Sequence, residues 1–270
     1  MSYPVLPGAE AWFQAGSGAL GKIGLLLVHG FTGNPVSMRP LGELLSARGF
    51  TVQVPRLPGH GTHHRDMQRT RYADWRAEVE RARAELSGKC ERTVLVGLSM
   101  GGTLVLDVAS DAGAAVAGVV TINVWILDRE GILVKMAPVL EKLVPLAPAK
   151  AAGLVENDIA KPGGDEKAYR WVPAAAGNSV VRELPRLRER ISSLGCPLLV
   201  AYSPRDHSVP CRNSQALLRL AGSADKTELR LERSYHVATL DYDLPLLDER
   251  IAEFALRVTG QRPASEPAPA

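Results

Sequence analysis

The feature that most limits how this chain can fold is a repeated alternation of short strand-like runs with helical patterns. Leu41, Leu44 and Leu45 share one face at helical spacing, and a similar apolar face recurs over 247–258. Such alternation is typical of βαβ units, so it predicts a mostly parallel sheet flanked by helices. The strand-like runs lie at 23–28, 50–55, 93–97, 118–122, 197–201 and 227–231.

The alternation stops after Asn123, and strand-like sequence resumes only near Pro197. This interval is too long for a loop. Its apolar stretch at 131–155 is interrupted by prolines, which predicts short broken helices and not a sheet layer. The small, proline-rich end of the chain is typical of a disordered tail. We therefore expect a core in two parts, an inserted lid and a tail, at 1–124 with 186–260, 125–185 and 261–270.

Composition limits the partners and the compartment. The 270 residues are 46% hydrophobic, which is enough for one large α/β domain. A net charge of +3 gives no electrostatic footprint for nucleic acid, so we expect small-molecule partners. Three widely spaced cysteines argue against a disulfide framework, and no signal peptide or membrane span is recognisable. These observations predict a cytoplasmic protein.

A serine lies among glycines in the stretch "TVLVGLSMGGTLVL" at 93–106. Gly97 to Gly101 match the pattern G-x-S-x-G, in the strand, turn and helix context that a nucleophile elbow requires. The glycines remove side chains that would collide with the neighbouring strand and helix. A phosphate-binding loop needs a following lysine, which is missing. A packing corner is the structural alternative, but the context favours Ser99 as a nucleophile.

A nucleophilic serine needs an imidazole base and a carboxylate that orients it, in the chain order serine, acid, histidine. His236 lies just beyond the last predicted strand, and Asp206 follows the strand at 197–201. Asp241 and Asp243 come after His236 and violate the order. The structural alternatives are an exposed loop histidine and a turn carboxylate that caps a backbone amide. We predict Asp206 as the acid and His236 as the base.

Acyl transfer also needs two backbone N–H groups to bind an oxyanion. The elbow supplies the N–H of Met100, at a helix N-terminus whose dipole favours negative charge. The glycine-containing loop "HGFTG" at 29–33 follows the first apolar strand, and Phe31 in it is predicted to supply the second N–H.

A second histidine cluster, formed by His60, His63, His64 and Asp66, has a spacing that fits no standard metal site. We interpret it as a loop with a solvated basic rim, formed by Arg56, Arg65, Arg69 and Arg71. The sequence therefore predicts neither a metal ion nor an organic cofactor.

Five stretches together resemble the bacterial monoacylglycerol lipases, within the esterase and lipase branch of the α/β-hydrolases. They are "LLLVHGFTGNPVSMRPL", "PRLPGHGTHHRDMQRT", "GLSMGGTLVL", "SPRDHSVP" and "SYHVATLDYD". The resemblance spans most of the core and implies an α/β-hydrolase fold with an inserted helical lid. It implies the triad Ser99, Asp206 and His236 and the oxyanion donors Phe31 and Met100, in agreement with the assignments from order and position.

The resemblance also implies residues that bind the substrate. Glu166, in "KPGGDEKAYRWVP", corresponds to a lid glutamate that recognises the glycerol head group, and Asn123 to a residue that helps anchor it. A solvated surface glutamate is the structural alternative. The apolar lid residues Ile132, Leu133, Val134 and Met136 would cover the acyl chain or rest on a lipid surface. At 125–160 the chain is longer than the family pattern, which leaves acyl-chain preference open.

The expected function is a serine esterase that hydrolyses monoacylglycerols through an acyl-enzyme intermediate, with transient lid contact to a lipid surface. Two alternatives remain. One is a general carboxylesterase or thioesterase for small acyl esters. The other is a ligand receptor on the same fold that has little turnover.

Overall fold

The fold is taken from a computed structural model that describes residues 3–112, 115–128, 141, 144–151 and 155–261. Within these residues a seven-stranded sheet has the order β1-β3-β2-β4-β5-β8-β9. Its antiparallel edge strand β1 pairs with β3, and every other neighbouring pair is parallel. The strands are β1 (Trp12–Gln14), β2 (Ile23–Val28), β3 (Thr51–Val54), β4 (Arg92–Leu98), β5 (Gly118–Ile122), β8 (Leu198–Tyr202) and β9 (Lys226–Arg230).

The strand order reverses between β2 and β4. The chain goes from β2 to β3 on one side and then returns to place β4 on the other side of β2. At such a point the loops that leave two parallel strands diverge and open a crevice at the carboxyl ends of the strands. The loop after β2 and the turn after β4 therefore border one crevice.

Helices cover both faces of the sheet. The helices are α1 (Arg39–Ala47), α2 (His64–Met67), α3 (Tyr72–Ser87), α4 (Met100–Ala112), α5 (Ala174–Ile191), α6 (Arg212–Leu220) and α7 (Leu244–Thr259). On one face, α1 and α7 bury Leu41, Leu45 and Ile251 in one apolar cluster. On the other, α3, α4, α5 and α6 bury a second cluster that includes Trp75 and Leu104. Burial of both faces explains why the central strands read as continuous apolar runs.

The predicted fold class is confirmed. All six predicted strands are present, and their bounds differ from the prediction by one residue or less. Strand β1 is not among the predicted strands, because its three residues are too few for a periodic pattern.

The expectation that 131–155 contains no sheet is wrong at one place. Strands β6 (Leu146–Pro148) and β7 (Trp171–Pro173) form a small antiparallel sheet of their own. Each strand ends in a proline, which lacks a backbone donor and is tolerated at the margin of a sheet. Pro148 is also one of the prolines in 131–155 on which the prediction of broken helices rests.

After β5 the chain leaves the central sheet, and it returns to the main core at α5. We call the residues between these two elements the 123–173 segment. It contains the small sheet, whereas α5 packs with α4 on the main core. Because α5 runs continuously through residue 185, an insertion that ends before Ala174 fits the packing better than the predicted end at 185. The predicted lid residues Ile132, Leu133, Val134 and Met136 lie outside the described residues.

Helix α7 ends at Thr259, and Gly260 caps it in the left-handed conformation with φ of 70°. Apart from Gln261, the predicted tail lies outside the described residues. In the described part of the chain, no helix combines the length and the apolar character needed to cross a membrane.

Candidate active site

Ser99 occupies the sharp turn between β4 and α4. Its φ of 55° lies in the left-handed region, which is costly for a residue with a side chain. A Cβ atom on Gly97 would lie 2.3 Å from the carbonyl carbon of Gly101, and one on Gly101 would lie 2.1 Å from the carbonyl oxygen of Val28. The two glycines thus allow the close contact of β2, β4 and α4 that forces Ser99 into this conformation.

Asp206 and His236 form a carboxylate–imidazole pair. The Nδ1 atom of His236 lies 2.7 Å from Oδ2 of Asp206, and both side chains are shielded from solvent. The other carboxylate oxygen, Oδ1, accepts the backbone N–H groups of Ser208 at 2.8 Å and Val209 at 2.7 Å. Because Oδ1 is held by the backbone of its own loop, Oδ2 has a fixed direction toward the imidazole. This leaves Nε2 of His236 as the ring nitrogen for proton transfer.

The surroundings of His236 favour its protonated form. Burial lowers the pKa of His236, but the charge and hydrogen bond of Asp206, with smaller contributions from Glu166 and Asp158, outweigh this and raise it above its ordinary value. A base of this kind is stabilised as the imidazolium that forms when it takes a proton.

One pocket brings these elements together. Ser99 and His236 both line it, as do Phe31 from the loop after β2 and Glu166 and Tyr169 from the 123–173 segment. Apolar side chains form another part of its wall, contributed by Leu98, Trp125, Ala149, Val155, Ala168 and Val209. The pocket therefore offers a nucleophile and base beside both a carboxyl group and an apolar surface.

The loop after β2 is held by a buried histidine. His29 accepts the backbone N–H of Leu57 at Nε2 over 3.2 Å, so its Nδ1–H donates to the carbonyl oxygen of Gly30 over 3.0 Å. Burial lowers the pKa of His29 to about 4, so it is neutral near pH 7. A Cβ atom on Gly30 would lie 3.2 Å from Cβ of Ser99, which shows how closely this loop approaches the elbow.

The two predicted oxyanion donors lie on the two elements that border the crevice, the loop after β2 and the start of α4. Phe31 lines the pocket, and Met100 is the first residue of α4, where the helix carries partial positive charge. Within the part of the chain that the structure describes, neither backbone N–H donates a hydrogen bond to another residue. Both N–H groups are therefore available to bind a negatively charged oxygen.

Glu166 reaches the pocket because the backbone around it is tied down. The side-chain amide of Asn34 donates to the carbonyl oxygens of Glu166 and Lys167, each at 3.1 Å, and the N–H of Glu166 donates to Oδ1 of Asn157 at 3.2 Å. Tyr169 continues the attachment, since its N–H donates to the carbonyl oxygen of Thr32 at 3.1 Å. The loop after β2 thus carries both Phe31 and the support for Glu166.

The carboxyl group of Glu166 has a perturbed acidity. Burial raises the pKa of Glu166 to about 7, with His236 opposing this and the charges of Asp165 and Asp158 adding to it. Near neutral pH the group is therefore distributed between its neutral and ionised forms, and it can both donate and accept a hydrogen bond. A solvated surface glutamate, the structural alternative, does not fit this position.

Asn123 has a different place from the predicted one. Its buried side chain donates to the carbonyl oxygens of Tyr235 at 3.2 Å and His236 at 2.7 Å, and it accepts the N–H of Ser203 at 2.7 Å. The expected contact with Glu166 is absent from the hydrogen bonds of the described residues. The amide NH₂ group of Asn123 donates only to the loop of His236 among the described residues, so its observed contacts support that loop.

The loop that follows β3 is partly as expected. Arg65, Arg69 and Arg71 are exposed, whereas Arg56 is partly buried and donates to the carbonyl oxygen of His60 at 3.0 Å. His60 itself is fully buried. The hydroxyl group of Tyr169 also bonds to this loop, through the carbonyl oxygen of Gly59 at 2.9 Å and the N–H of Thr62 at 2.8 Å.

Comparisons with known proteins identify the family to which the chain belongs. A family model described as serine aminopeptidase, S33, matches residues 22–243. A thermostable monoacylglycerol lipase from Bacillus sp. (strain H-257) is 40% identical over 258 residues, which cover 96% of this chain and 98% of the relative. The chain belongs to this serine hydrolase family, and the predicted resemblance to bacterial monoacylglycerol lipases is confirmed.

Solved structures agree with the fold. A structure from the metagenome-derived lipolytic enzymes LipS and LipT has a TM-score of 0.87 at 35% identity and covers 94% of this chain and 100% of its own. A soluble variant of monoglyceride lipase from Saccharomyces cerevisiae, in complex with a substrate analog, has a TM-score of 0.74 at 18% identity, with coverage of 96% and 91%. The fold is that of the α/β-hydrolases.

Proposed function

We propose that this protein hydrolyses monoacylglycerols to a fatty acid and glycerol, with Ser99 as the nucleophile. The observation that carries the proposal is the position of Glu166, whose carboxyl group lines the same pocket as Ser99 and His236. A carboxyl group with a pKa of about 7 can hydrogen-bond to the free hydroxyl groups of glycerol, which a simple alkyl ester lacks. The name of the Bacillus relative supports the same substrate.

The geometry supports a two-step reaction. His236, oriented by Asp206, takes the proton of Ser99 as Oγ attacks the ester carbonyl carbon, and the N–H groups of Phe31 and Met100 bind the resulting oxyanion. The tetrahedral intermediate collapses, and His236 gives the proton to the departing glycerol oxygen. A water molecule then gives a proton to His236 and attacks the acyl group on Ser99, which releases the fatty acid and restores the serine. No metal ion or organic cofactor takes part in these steps.

The apolar wall of the pocket supports an acyl chain as the other part of the substrate. Trp125, Val155 and Val209 lie in this wall and can cover hydrocarbon. We infer that Glu166 and this wall orient the two ends of the substrate so that its ester lies at Ser99.

The substrate test compares 1-monolauroylglycerol with p-nitrophenyl butyrate. We expect Glu166→Ala to raise KM for monolauroylglycerol about tenfold, the value of one hydrogen bond, and to leave the butyrate ester nearly unchanged. Glu156→Ala is the matched control, because Glu156 also lines the pocket but is half exposed and faces Arg170 at 3.7 Å. Equal effects of Glu166→Ala on both substrates would remove the head-group role.

The two alternatives are separated in the same assays. Turnover of p-nitrophenyl butyrate without turnover of 1-monolauroylglycerol or 1-monooleoylglycerol would show a general carboxylesterase or thioesterase. Ser99→Ala tests the receptor: an enzyme loses several orders of magnitude in rate, whereas a receptor keeps its ligand response.

We also propose that the protein is cytoplasmic and takes its substrate from a lipid surface through the 123–173 segment. Val144, Val155 and Trp171, all in this segment, are exposed by 48%, 44% and 46%. Exposed apolar side chains beside a pocket are typical of a lipid-contact surface. Phosphatidylcholine vesicles should bind the protein during flotation and bind Trp171→Ser more weakly, with Phe13→Ser, on the distant edge strand β1, as the control. Equal binding of the three proteins would contradict this proposal.

A further inference from the structure

A second carboxylate lies beside the proposed triad and comes from the 123–173 segment. Oδ2 of Asp158 accepts the backbone N–H of His207 at 3.0 Å and the hydroxyl group of Ser208 at 3.2 Å. The next two N–H groups of this loop, of Ser208 and Val209, donate to Asp206. The loop at 206–209 is therefore held between two carboxylates, and only one of them belongs to the core.

Asp158 also binds an imidazole. Its Oδ1 lies 2.7 Å from Nδ1 of His207, which gives a second carboxylate–imidazole pair next to that of Asp206 and His236. The carboxylate of Asp158 is 2% exposed, but the side chain of His207 is 55% exposed. Neither residue lines the pocket that contains Ser99. The second pair thus has the form of a catalytic pair but lies away from the reacting atoms.

The backbone of the same residue holds the other half of the triad. The carbonyl oxygen of Asp158 accepts the N–H of Val237, the neighbour of His236, at 3.0 Å. Close by, Asp241 accepts the N–H groups of Ala160 at 2.7 Å and Tyr235 at 2.8 Å. Residues 158–160 are therefore attached to the loops of both Asp206 and His236.

We propose that Asp158 is a positioning residue of the triad, which fixes the loops of Asp206 and His236 relative to each other from outside the core. The inference rests on the triad of the proposed function. Its consequence is that the 123–173 segment supplies part of the catalytic geometry as well as the substrate-binding wall. A loss of this clamp should reduce turnover of every ester, whereas a loss of Glu166 should affect monoacylglycerols.

The charge of Asp158 provides a readout that a purely structural role would not change. Among ionisable groups, Asp206 acts most strongly on His236, followed by Glu166 and Asp158, and the negative charge of each raises the pKa of His236. Asp158 itself faces the imidazole of His207 and the hydroxyl group of Ser208. Removal of its charge, with the contacts kept, should therefore lower the pKa of His236.

Asp158→Asn can keep the contacts. An amide oxygen in the position of Oδ2 accepts the N–H of His207 and the hydroxyl group of Ser208, and an NH₂ group in the position of Oδ1 donates to Nδ1 of His207 in its other tautomer. We expect kcat for p-nitrophenyl butyrate within about threefold of the wild type. The acid limb of kcat/KM should shift by about half a pH unit toward lower pH.

Asp158→Ala removes the clamp. We expect kcat to fall about 10- to 100-fold for both p-nitrophenyl butyrate and 1-monolauroylglycerol, with little change in KM, because the pocket is kept while the reacting groups lose alignment. Asp107→Asn is the matched control, since Asp107 is a buried carboxylate on α4 that accepts hydrogen bonds from Arg76 at 2.9 Å and Tyr72 at 3.0 Å. It should lower Tm without changing kcat or the pH profile.

The outcomes separate this inference from the proposed function. A folded Asp158→Ala protein with wild-type kcat would overturn the positioning role, as would an unshifted acid limb in a folded Asp158→Asn protein. If Asp158→Ala does not fold, the pH profile of Asp158→Asn alone decides. If Ser99→Ala is inactive and one of these two results is found, only the role of Asp158 is refuted. If Ser99→Ala still turns over esters, the triad is refuted, and the role of Asp158 with it.

Discussion

The side chain of Asn34 donates to the carbonyl oxygen of Glu166 at 3.1 Å, although the two residues are 132 positions apart. Asn34 also accepts the N–H of Val36 at 3.0 Å, so one amide caps a turn of the core and supports the proposed head-group residue. The loop that carries the proposed oxyanion donor Phe31 and the proposed specificity residue Glu166 are therefore directly connected.

Asn34→Ala should weaken recognition of monoacylglycerols. The substitution removes both bonds to the backbone of residues 166 and 167, so the carboxyl group of Glu166 loses its fixed position. We expect KM for 1-monolauroylglycerol to rise about 3- to 10-fold, and unfolding free energy to fall by about 1–2 kcal/mol from the lost cap and bonds. Steady-state kinetics and thermal melting measure the two effects. An unchanged KM in a destabilised protein would contradict the connection.

Glu166→Gln should stabilise the protein at alkaline pH. The pKa of Glu166 is raised from 4.5 to about 7 by folding, so the folded state holds a proton that the unfolded state has released. Stability contributed by this carboxyl group is therefore present below about pH 4.5 and declines as the pH rises through 7. The neutral glutamine avoids this loss, and we expect a gain of about 1–3 kcal/mol at pH 8.

Melting temperatures at pH 5 and pH 8 measure this effect. The glutamine variant should exceed the wild type by several degrees at pH 8 and by much less at pH 5. Glu156→Gln, at a half-exposed position, should show no such difference. A gain that is the same at both pH values would speak against a raised pKa of Glu166.

Activity should rise with pH through the ionisation of His236. The base must be neutral to accept the proton of Ser99, and His236 has a pKa above its ordinary value because Asp206 outweighs the effect of burial. The acid limb of kcat/KM for p-nitrophenyl butyrate should therefore have an apparent pKa above about 6.5. An acid limb centred near pH 5 would contradict a pKa of His236 that Asp206 raises.

Asp206→Asn should lower kcat by about 10³- to 10⁴-fold, because an amide can select the wrong imidazole tautomer and cannot stabilise the imidazolium. Its effect should be equal on monoacylglycerols and on p-nitrophenyl butyrate. A loss confined to one substrate would show that Asp206 has some role other than orienting His236.

Asn123→Ala should impair both classes of substrate alike. The buried side-chain amide of Asn123 donates to the carbonyl oxygens of Tyr235 and His236. The backbone of Asn123 has a φ of 47°, a conformation that alanine adopts less readily than asparagine. We expect the free energy of unfolding to fall by about 2–4 kcal/mol and kcat to fall roughly tenfold. Thr121→Val is a matched control on β5, the strand that leads to Asn123, because the buried hydroxyl group of Thr121 has no partner in the described region. A loss confined to monoacylglycerols would restore the head-group interpretation of Asn123.

The elbow and the order of the triad could be predicted because their signals are local. The requirement for glycine on both sides of Ser99 follows from crowding within a few residues, and Asp206 and His236 each follow a recognisable strand. The parallel sheet was predictable for the same reason, since the central strands β2, β4 and β8 each contain a run of apolar residues.

The supports of the site could not be predicted in this way. Asn34, Asn123 and Asp158 act through contacts with residues 49 to 133 positions away, and nothing in their immediate sequence specifies those partners. A buried asparagine or aspartate reads locally as an ordinary turn residue. For Asn123, a resemblance transfers a residue type without the direction of its hydrogen bonds.

Strand β7 ends at Pro173 and helix α5 begins at Ala174, so the chain returns to the core without an intervening residue. This direct junction between β7 and α5 matters for protein engineering. If the 123–173 segment were replaced by that of another protein at this junction, no linker would absorb a difference in orientation. Any such difference would displace α5, which packs against α4. Chimeras designed to change acyl-chain preference should therefore exchange the 123–173 segment together with α5 and join the two sequences after Ile191.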